Sequence, residues 1–524
     1  MVRYGDDDKG EKAFPAYRID RKQRDPPAAA SRATLASAGC VGLGVLLFSR
    51  LHYAPKYLFF FDNANFAFAL RRFDPALHQP QPPGYPLFVA LLHAIDLLAN
   101  DANRALIIAG LLGSAVALAL LWLWTNSMLG RSAAYMATVL LLLHPVFWVA
   151  GVANPVRVFL AVVATGAGWA AWETMTSATP ARAFYRAAAI LGLAAGFRPE
   201  TLVLLAPMWL TVGLYRRLSG RAILIGFSIL LASTATWLTP MAVRMGGFGP
   251  MWRVFAEYVR IRSIGYTVAY GASAGQSLTT IRRALIWTLG MTVVWIWVLP
   301  LVWRRFRSLW DQARILLIVV ALLPALLFHM LIHVRDIDQT LISIPITCIV
   351  GGAVLASISS RKAMVAACLV ALFGSYWCFR RPFFSDMTGA SGSGIRWVEA
   401  WTSSTYEALD RIGSEPGTTL VWYGAVVPWR NVSYYYPNLP LLVISTDAPF
   451  WVRGGSSEPP TIEPDGAVGL PSSTKHIILG LSSVESDTAA HGWPEARRVG
   501  PLICLDVNGG ERLQLGGLGL HVER

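Results

Sequence analysis

The stretch Asp62-Asn63-Ala64-Asn65, continuing to Gln79-Pro80-Gln81-Pro82-Pro83-Gly84-Tyr85-Pro86, decides how this chain is read. It holds a carboxylate, the pair Arg71-Arg72, His78 and a proline-rich turn. An apolar run over residues 33–52 precedes it, and many more follow as far as residue 380. A helix that spans a bilayer takes about 20 mostly apolar residues, and several of these runs are long enough. Dense polar chemistry in the first loop of such a chain marks that loop as the place where work is done.

The composition supports a membrane setting. Of 524 residues, 54% are hydrophobic and only 15% charged, and the mean hydropathy is +0.47. Soluble domains carry about 25% charged residues. The net charge of +14 comes from arginines in short loops between apolar runs, as expected of cytoplasmic loops. No basic stripe interleaved with aromatics stands on a soluble module, so nucleic acid is not expected as a partner. The five cysteines follow no zinc or redox spacing.

Taken in order, residues 1–32 read as a disordered, basic cytoplasmic tail. Residues 33–380 read as a polytopic α-helical membrane domain of about 11 spans, N-terminus inside, judged by window length. The run 85–99 disturbs the alternation. If it crosses, Arg131, Arg182 and Arg186 fall outside, against the charge rule. It is short, opened by prolines and interrupted by Asp96, which suits an interfacial or re-entrant helix. Asp62 and the C-terminal part then lie outside. Residues 241–283 read as a long outer loop, and Ala284 to Trp303 as one span. From about residue 381 Gly, Ser and Pro rise. Short apolar runs at 419–423, 441–445 and 476–480 predict buried strands, and 396–412 has helical spacing. Residues 381–524 are therefore expected to form a small α/β domain outside the membrane.

Asp62 is open to two readings. It is either a solvated or N-capping aspartate ahead of a short helix, or a general base that takes a proton from an acceptor hydroxyl. Asn63 and Asn65 would orient that acceptor or help to hold a metal.

The pattern of a first-loop Asp62, Arg71-Arg72, a short amphipathic helix and Gln81-Pro82-Pro83-Gly84-Tyr85-Pro86 resembles the GT-C superfamily of integral membrane glycosyltransferases. Bacterial aminoarabinose transferases and protein O-mannosyltransferases are the nearest in pattern. Gly130-Arg131 before a span and His144-Pro145-Val146-Phe147 add to the likeness. The resemblance implies inverting transfer from a polyprenyl-phosphate-linked sugar donor to a glycan, lipid or protein acceptor, with Asp62 near the reacting centre. It also supports the interfacial reading of 85–99. One departure stands out. Relatives place a second acid in the next outer loop, which here reads Ala153-Asn154-Pro155-Val156-Arg157, with Asn154 the nearest match. This weakens any metal site or two-carboxylate mechanism that the resemblance would imply, and no cofactor is certain, with a divalent metal possible.

Further candidates stand at other span ends. Arg198, in Gly196-Phe197-Arg198-Pro199-Glu200, either pairs with Glu200 or binds the lipid phosphate, since a cation at depth in a bilayer needs a partner or a task. Arg335 offers a second phosphate contact and Arg72 a third. His329 and His333 share a helix face but have no third convergent ligand, so they are expected to line a cavity. His78, Tyr85, Asn154 and His333 are the remaining candidates for substrate contact. Arg260, Arg262, Arg282 and Arg283 lie outside against the charge rule, which fits either an anionic substrate or an interfacial helix. The rival functions are a lipid-diphosphate-dependent polysaccharide ligase or polymerase, a lipid-sugar transporter or flippase, and a non-catalytic subunit. Transporters often show paired halves with interrupted helices, and no such repeat is visible.

Overall fold

The computed structural model describes residues 32–265, 270–380, 391–413, 415–445, 448–453, 456–462, 467–481, 496–515 and 518–523. The expected N-terminal tail and the junction at 381 lie outside these residues. Residues 1–45 and 46–524 separate as two units. The first contributes the N-terminal part of helix α1 (Arg32–Leu51).

Prolines and small caps set the helix starts. α2 (Phe61–Arg71) and α3 (Pro86–Ala99) flank the proline-rich turn. α4 (Ala102–Leu129) begins where Asp101 Oδ1 accepts from Arg104 N at 2.7 Å, a side-chain N-cap. α5 (Arg131–Leu142) follows directly. α6 (Pro145–Ala153), α7 (Pro155–Thr176) and α8 (Pro180–Ala194) each open on proline, whose missing N–H costs nothing in a first helical turn. α9 (Glu200–Tyr215) and α10 (Gly220–Arg244) complete this group.

The next stretch corrects the sequence reading. The expected outer loop at 241–283 is largely helical, containing α11 (Phe248–Ser263) and the start of α12 (Ala274–Leu289). The expected straight span 284–303 is broken. A 3-10 turn at Gly290–Thr292 leads to α13 (Val293–Ile296), and α14 (Leu299–Ser308) departs at 98° with Pro300 in its first turn. Proline removes a backbone donor and crowds the preceding turn, which accounts for the break. α15 (Gln312–Leu331), a 3-10 segment (Ile337–Ile342), α16 (Ile344–Ala356) and α17 (Arg361–Arg380) follow.

Among the described residues, five helices are long and apolar enough to cross a membrane, or up to seven if each of two bent pairs is one span; four apolar helices are shorter, Pro86–Ala99 among them. The chain is an integral membrane protein of mostly helical architecture. Lipid-immersed helices gain little from apolar burial and associate by close packing of small residues. Gly352 of α16 shows this: a Cβ there would lie 2.6 Å from Ala133 O of α5.

The C-terminal part contains α18 (Gly392–Ile412) and a seven-stranded sheet. Its strands are β1 (Thr418–Tyr423), β2 (Leu441–Val443), β3 (Phe450–Arg453), β4 (Ser456–Glu458), β6 (His476–Leu481), β7 (Arg497–Val499) and β8 (Leu502–Asp506), in the order β4-β3-β2-β1-β6-β8-β7. β2, β1 and β6 are parallel, with Val421 opposite both Leu442 and Leu479. The three runs expected as strands thus form the buried centre of one sheet. β5 (Val468–Leu470), β9 (Arg512–Leu515) and β10 (Leu518–Val522) make a second, small sheet. Between β1 and β2 lies α19 (Trp429–Tyr435).

Candidate active site

Asp62 sits in the first turn of α2, whose N-cap is Phe60 with no side-chain cap. The capping reading of Asp62 therefore does not describe the fold. Its carboxylate turns instead toward α7 and lines a cavity of about 1650 Å³. The side chain keeps 28% exposure, yet it stands deep enough for burial to raise its pKa above the ordinary carboxylate range. Arg157 is the main opposing influence, with Arg198 and Arg262 weaker.

The break between α6 and α7 supplies the opposite wall. Asn154 is the last residue of one helix turn and the cap of the next, and Arg157 stands in the first turn of α7. A cation there faces the positive end of its own helix. Carboxylates compensate. Arg157 Nη2 lies 3.8 Å from Asp62 Oδ2 and 3.3 Å from Asp336 Oδ2, and its Nε lies 3.3 Å from Asp338 Oδ1. Asp336 closes a capping box with Gln339 on the 3-10 segment, so Asp338 is presented from that segment's first turn. Asn154 Nδ2 donates to Asp338 Oδ2 at 2.7 Å. A carboxylate 184 residues further on thus stands against the second outer loop. Burial raises the Asp338 pKa, against the pull of Arg157.

Arg198 forms a third wall. The turn before it is tied to the start of α3 by Leu87 N donating to Gly196 O at 3.0 Å. Arg198 is 1% exposed. It pairs with Glu200, as one sequence reading expected, and its guanidinium lies 4.9 Å from the centre of the Tyr85 ring. It also lines the cavity, as do Glu200 and Tyr85. Tyr85 adopts a left-handed backbone, φ 46°, a sparsely populated state for a tyrosine, and burial pushes its phenol pKa up. Arg335 and His333 line the cavity from the loop after α15. Burial lowers the His333 pKa to about 4, so it is neutral at physiological pH. α11 adds Arg262, 5.4 Å from the Tyr258 ring centre, and Arg260, which pairs with Glu257.

Not every expected residue joins the site. Arg72 is 68% exposed, pairs with Asp74 at 2.8 Å and is absent from the cavity wall. Asn63 is buried and donates to Ala153 O at 2.8 Å. Asn65 accepts from Arg430 Nε at 3.0 Å. Both asparagines brace the fold around Asp62. His78 stacks edge-on against Tyr258, 5.7 Å between centroids, behind the lining; burial and Arg430 lower its pKa to about 4. His329 is buried on α15. Among the described residues no group of three or more His, Cys, Asp or Glu is arranged to hold a metal.

The remaining wall comes from the C-terminal part. Trp422, Gly424 and Ala425 at the end of β1, Val443 to Ser445 at the end of β2, Trp429 and Phe450 all face the cavity. Open α/β sheets bind ligands beyond the carboxyl ends of their parallel strands, and here those ends are turned onto the membrane part. Arg430 fixes this placement. It is 3% exposed and donates to Asn65 Oδ1 and, at 2.9 Å, to Leu77 O. Asn431 Nδ2 donates to Leu58 O at 2.7 Å. Sequence reasoning missed Arg157 and Arg430, because each acts on partners far away in the chain.

The architecture has solved counterparts. The chain is similar to ArnT from Cupriavidus metallidurans bound to undecaprenyl phosphate, with TM-score 0.57, 15% identity and coverage of 91% of this chain and 98% of that one. The same protein in its apo state gives TM-score 0.56 at the same identity and coverage. The chain has the GT-C fold. A looser likeness, TM-score 0.48 and 13% identity over 86% of this chain and 68% of the other, is to the oligosaccharyltransferase of Archaeoglobus fulgidus. No protein-family model and no curated protein sequence matches the chain. Within the GT-C fold as this chain builds it, the cavity between α2, α7, α11 and the C-terminal sheet is where titratable groups converge.

Proposed function

We propose that the protein is a glycosyltransferase that moves a sugar from a polyprenyl-phosphate-linked donor to an acceptor hydroxyl on the non-cytoplasmic face of the membrane. The observation that carries this is the meeting of Asp62 with Arg198, Arg262 and Arg335 around one large cavity that also has apolar walls. The solved counterpart ArnT binds undecaprenyl phosphate, a lipid of the class proposed for the donor.

In this reading Asp62 removes the proton of the acceptor hydroxyl. The acceptor oxygen attacks the anomeric carbon from the face opposite the lipid phosphate, and the carbon–oxygen bond to the phosphate breaks. The bonding pair leaves with polyprenyl phosphate, and the anomeric configuration inverts. Arg198 and Arg335 stabilise the charge that develops on the leaving phosphate, since fixed cations at developing charge in a water-poor site are strongly catalytic. Arg72, exposed and paired elsewhere, takes no part. Glycan, lipid or protein acceptors all offer the needed hydroxyl or a comparable nucleophile.

The test is transfer by purified protein in nanodiscs, with Asp62→Asn as the decisive variant. Loss of transfer with retained binding of polyprenyl phosphate supports the reading. An Asp62→Asn protein that transfers at the wild-type rate removes Asp62 from the mechanism.

A further inference from the structure

Three carboxylates of the cavity share one cation, and that cation is a side chain. Asp62, Asp336 and Asp338 come from two elements far apart in sequence, yet all lie within 3.8 Å of the Arg157 guanidinium. The arginine side chain is only 9% exposed. Asp338 is held from its other oxygen by Asn154, so its direction is fixed from both sides. Acidic oxygens aimed at one point commonly enclose a divalent ion, which takes them at about 2.0–2.6 Å. Here the point of convergence is filled by a planar guanidinium, and the donor set does not fit a metal. Guanidinium is permanently charged and presents its donors in a rigid fork. It can therefore balance carboxylates and aim them at once.

Resting on the reading of Asp62 as the base, we propose that Arg157 is a built-in cation of the site: it holds Asp62 ionised and aimed at the acceptor, separates it from the repulsion of Asp336 and Asp338, and makes transfer independent of a divalent metal. Arg157 forms and breaks no bond and so is a positioning residue. The other groups that face Asp62 are Arg198 from the turn after α8, Arg262 and Tyr258 from α11, and Asp336. Of the cations, Arg157 exerts the largest pull on Asp62. Its removal leaves three acids facing one another with Arg198 and Arg262 as the remaining counter-charges.

Two measurements on the full chain in nanodiscs test this. The first needs no turnover: Mn2+ titration of the wild-type protein followed by electron paramagnetic resonance. No stoichiometric site is expected. A stoichiometric Mn2+ site that Asp62→Asn or Asp338→Asn abolishes overturns the proposal. The second is transfer before and after exhaustive chelation, with pH profiles of wild type, Arg157→Lys and Arg157→Ala. The wild-type rate should survive chelation. Arg157→Ala should be slower by about 100-fold, the scale of a misaimed catalytic group, with its acidic limb moved to higher pH and partly restored in Arg157→Lys. Wild-type transfer that stops on chelation, or Arg157→Ala with an unmoved limb and full rate, overturns it. A wild-type protein that transfers no sugar from any polyprenyl-phosphate donor instead defeats the glycosyltransferase reading, and the Mn2+ titration still decides the role of Arg157.

Discussion

At the scale of single residues, Asp62 carries the sharpest expectation. Asp62→Asn keeps the shape and removes the proposed base, so transfer should fall by two to four powers of ten, about the usual worth of a general base. Lipid-phosphate binding should change little, because the lost interaction acts in the transition state. The sign of the pH effect follows from burial. A raised carboxyl pKa leaves Asp62 protonated further up the scale, so the wild-type rate should fall with decreasing pH above the ordinary carboxylate range, and rate measurements across pH will show it. Arg198 is read by a double mutant. It both pairs with Glu200 and lines the cavity. Arg198→Ala should weaken lipid-phosphate binding and slow transfer, and adding Glu200→Ala should recover stability but not transfer. Recovery of transfer would reduce Arg198 to a structural partner, since coupled neighbours reveal themselves in such cycles. Asp62 was legible in the sequence because a carboxylate in an apolar chain is conspicuous. Arg157 was not. It reads as the polar start of a span, and its partners Asp336 and Asp338 lie about 180 positions away. Arg72 entered with the pattern that resembles the family, but its own exposure and its pairing with Asp74, two residues on, are features of local folding that the pattern does not carry.

At the scale of elements, most helices were legible from apolar windows, and the three central strands from short buried runs. The helix within the expected outer loop 241–283 and the break within the expected span 284–303 were both hidden by averaging over a window. α11 is amphipathic, with exposed Phe248, Trp252 and Val259 on one side and arginines among its residues. Its average polarity therefore resembles a loop, although its period is helical. Residues 284–303, from the end of α12 into α14, are uniformly apolar, so a window sees one span where Gly290 and Pro300 break the path. α19 is the element that pins the C-terminal sheet to the first loop. Arg430 loses its partners Asn65 and Leu77 on substitution, and charge-assisted hydrogen bonds are worth about 1.5–3 kcal/mol each. Arg430→Ala should lower stability by about 3 kcal/mol, read by denaturant or thermal unfolding in detergent. Arg430→Lys should rescue only part, because one ammonium cannot span both acceptors as a guanidinium fork does.

At the scale of the whole molecule, Asp62 and the C-terminal sheet line one cavity, which requires them to share a side of the membrane. Impermeant thiol labelling tests this on a Cys40→Ser background, since Cys40 is an exposed thiol. Arg72→Cys and Arg411→Cys should label from the same face of sealed vesicles, and Arg131→Cys only once the membrane is opened. Labelling of 72 and 131 together without 411 would mean that residues 86–99 cross. The sheet's share of the cavity wall also bears on how the protein is made. Its helices enter the membrane one after another as the ribosome works, but Trp422, Trp429 and Phe450 are among the last parts to emerge. Until they dock, the nascent chain holds Asp62 and the cavity arginines in an open vestibule, and a chain stopped at residue 413 would stay in that state. Such a truncated protein should insert in the membrane and retain lipid-phosphate binding while transferring nothing, so that translation itself acts as the timer for activity.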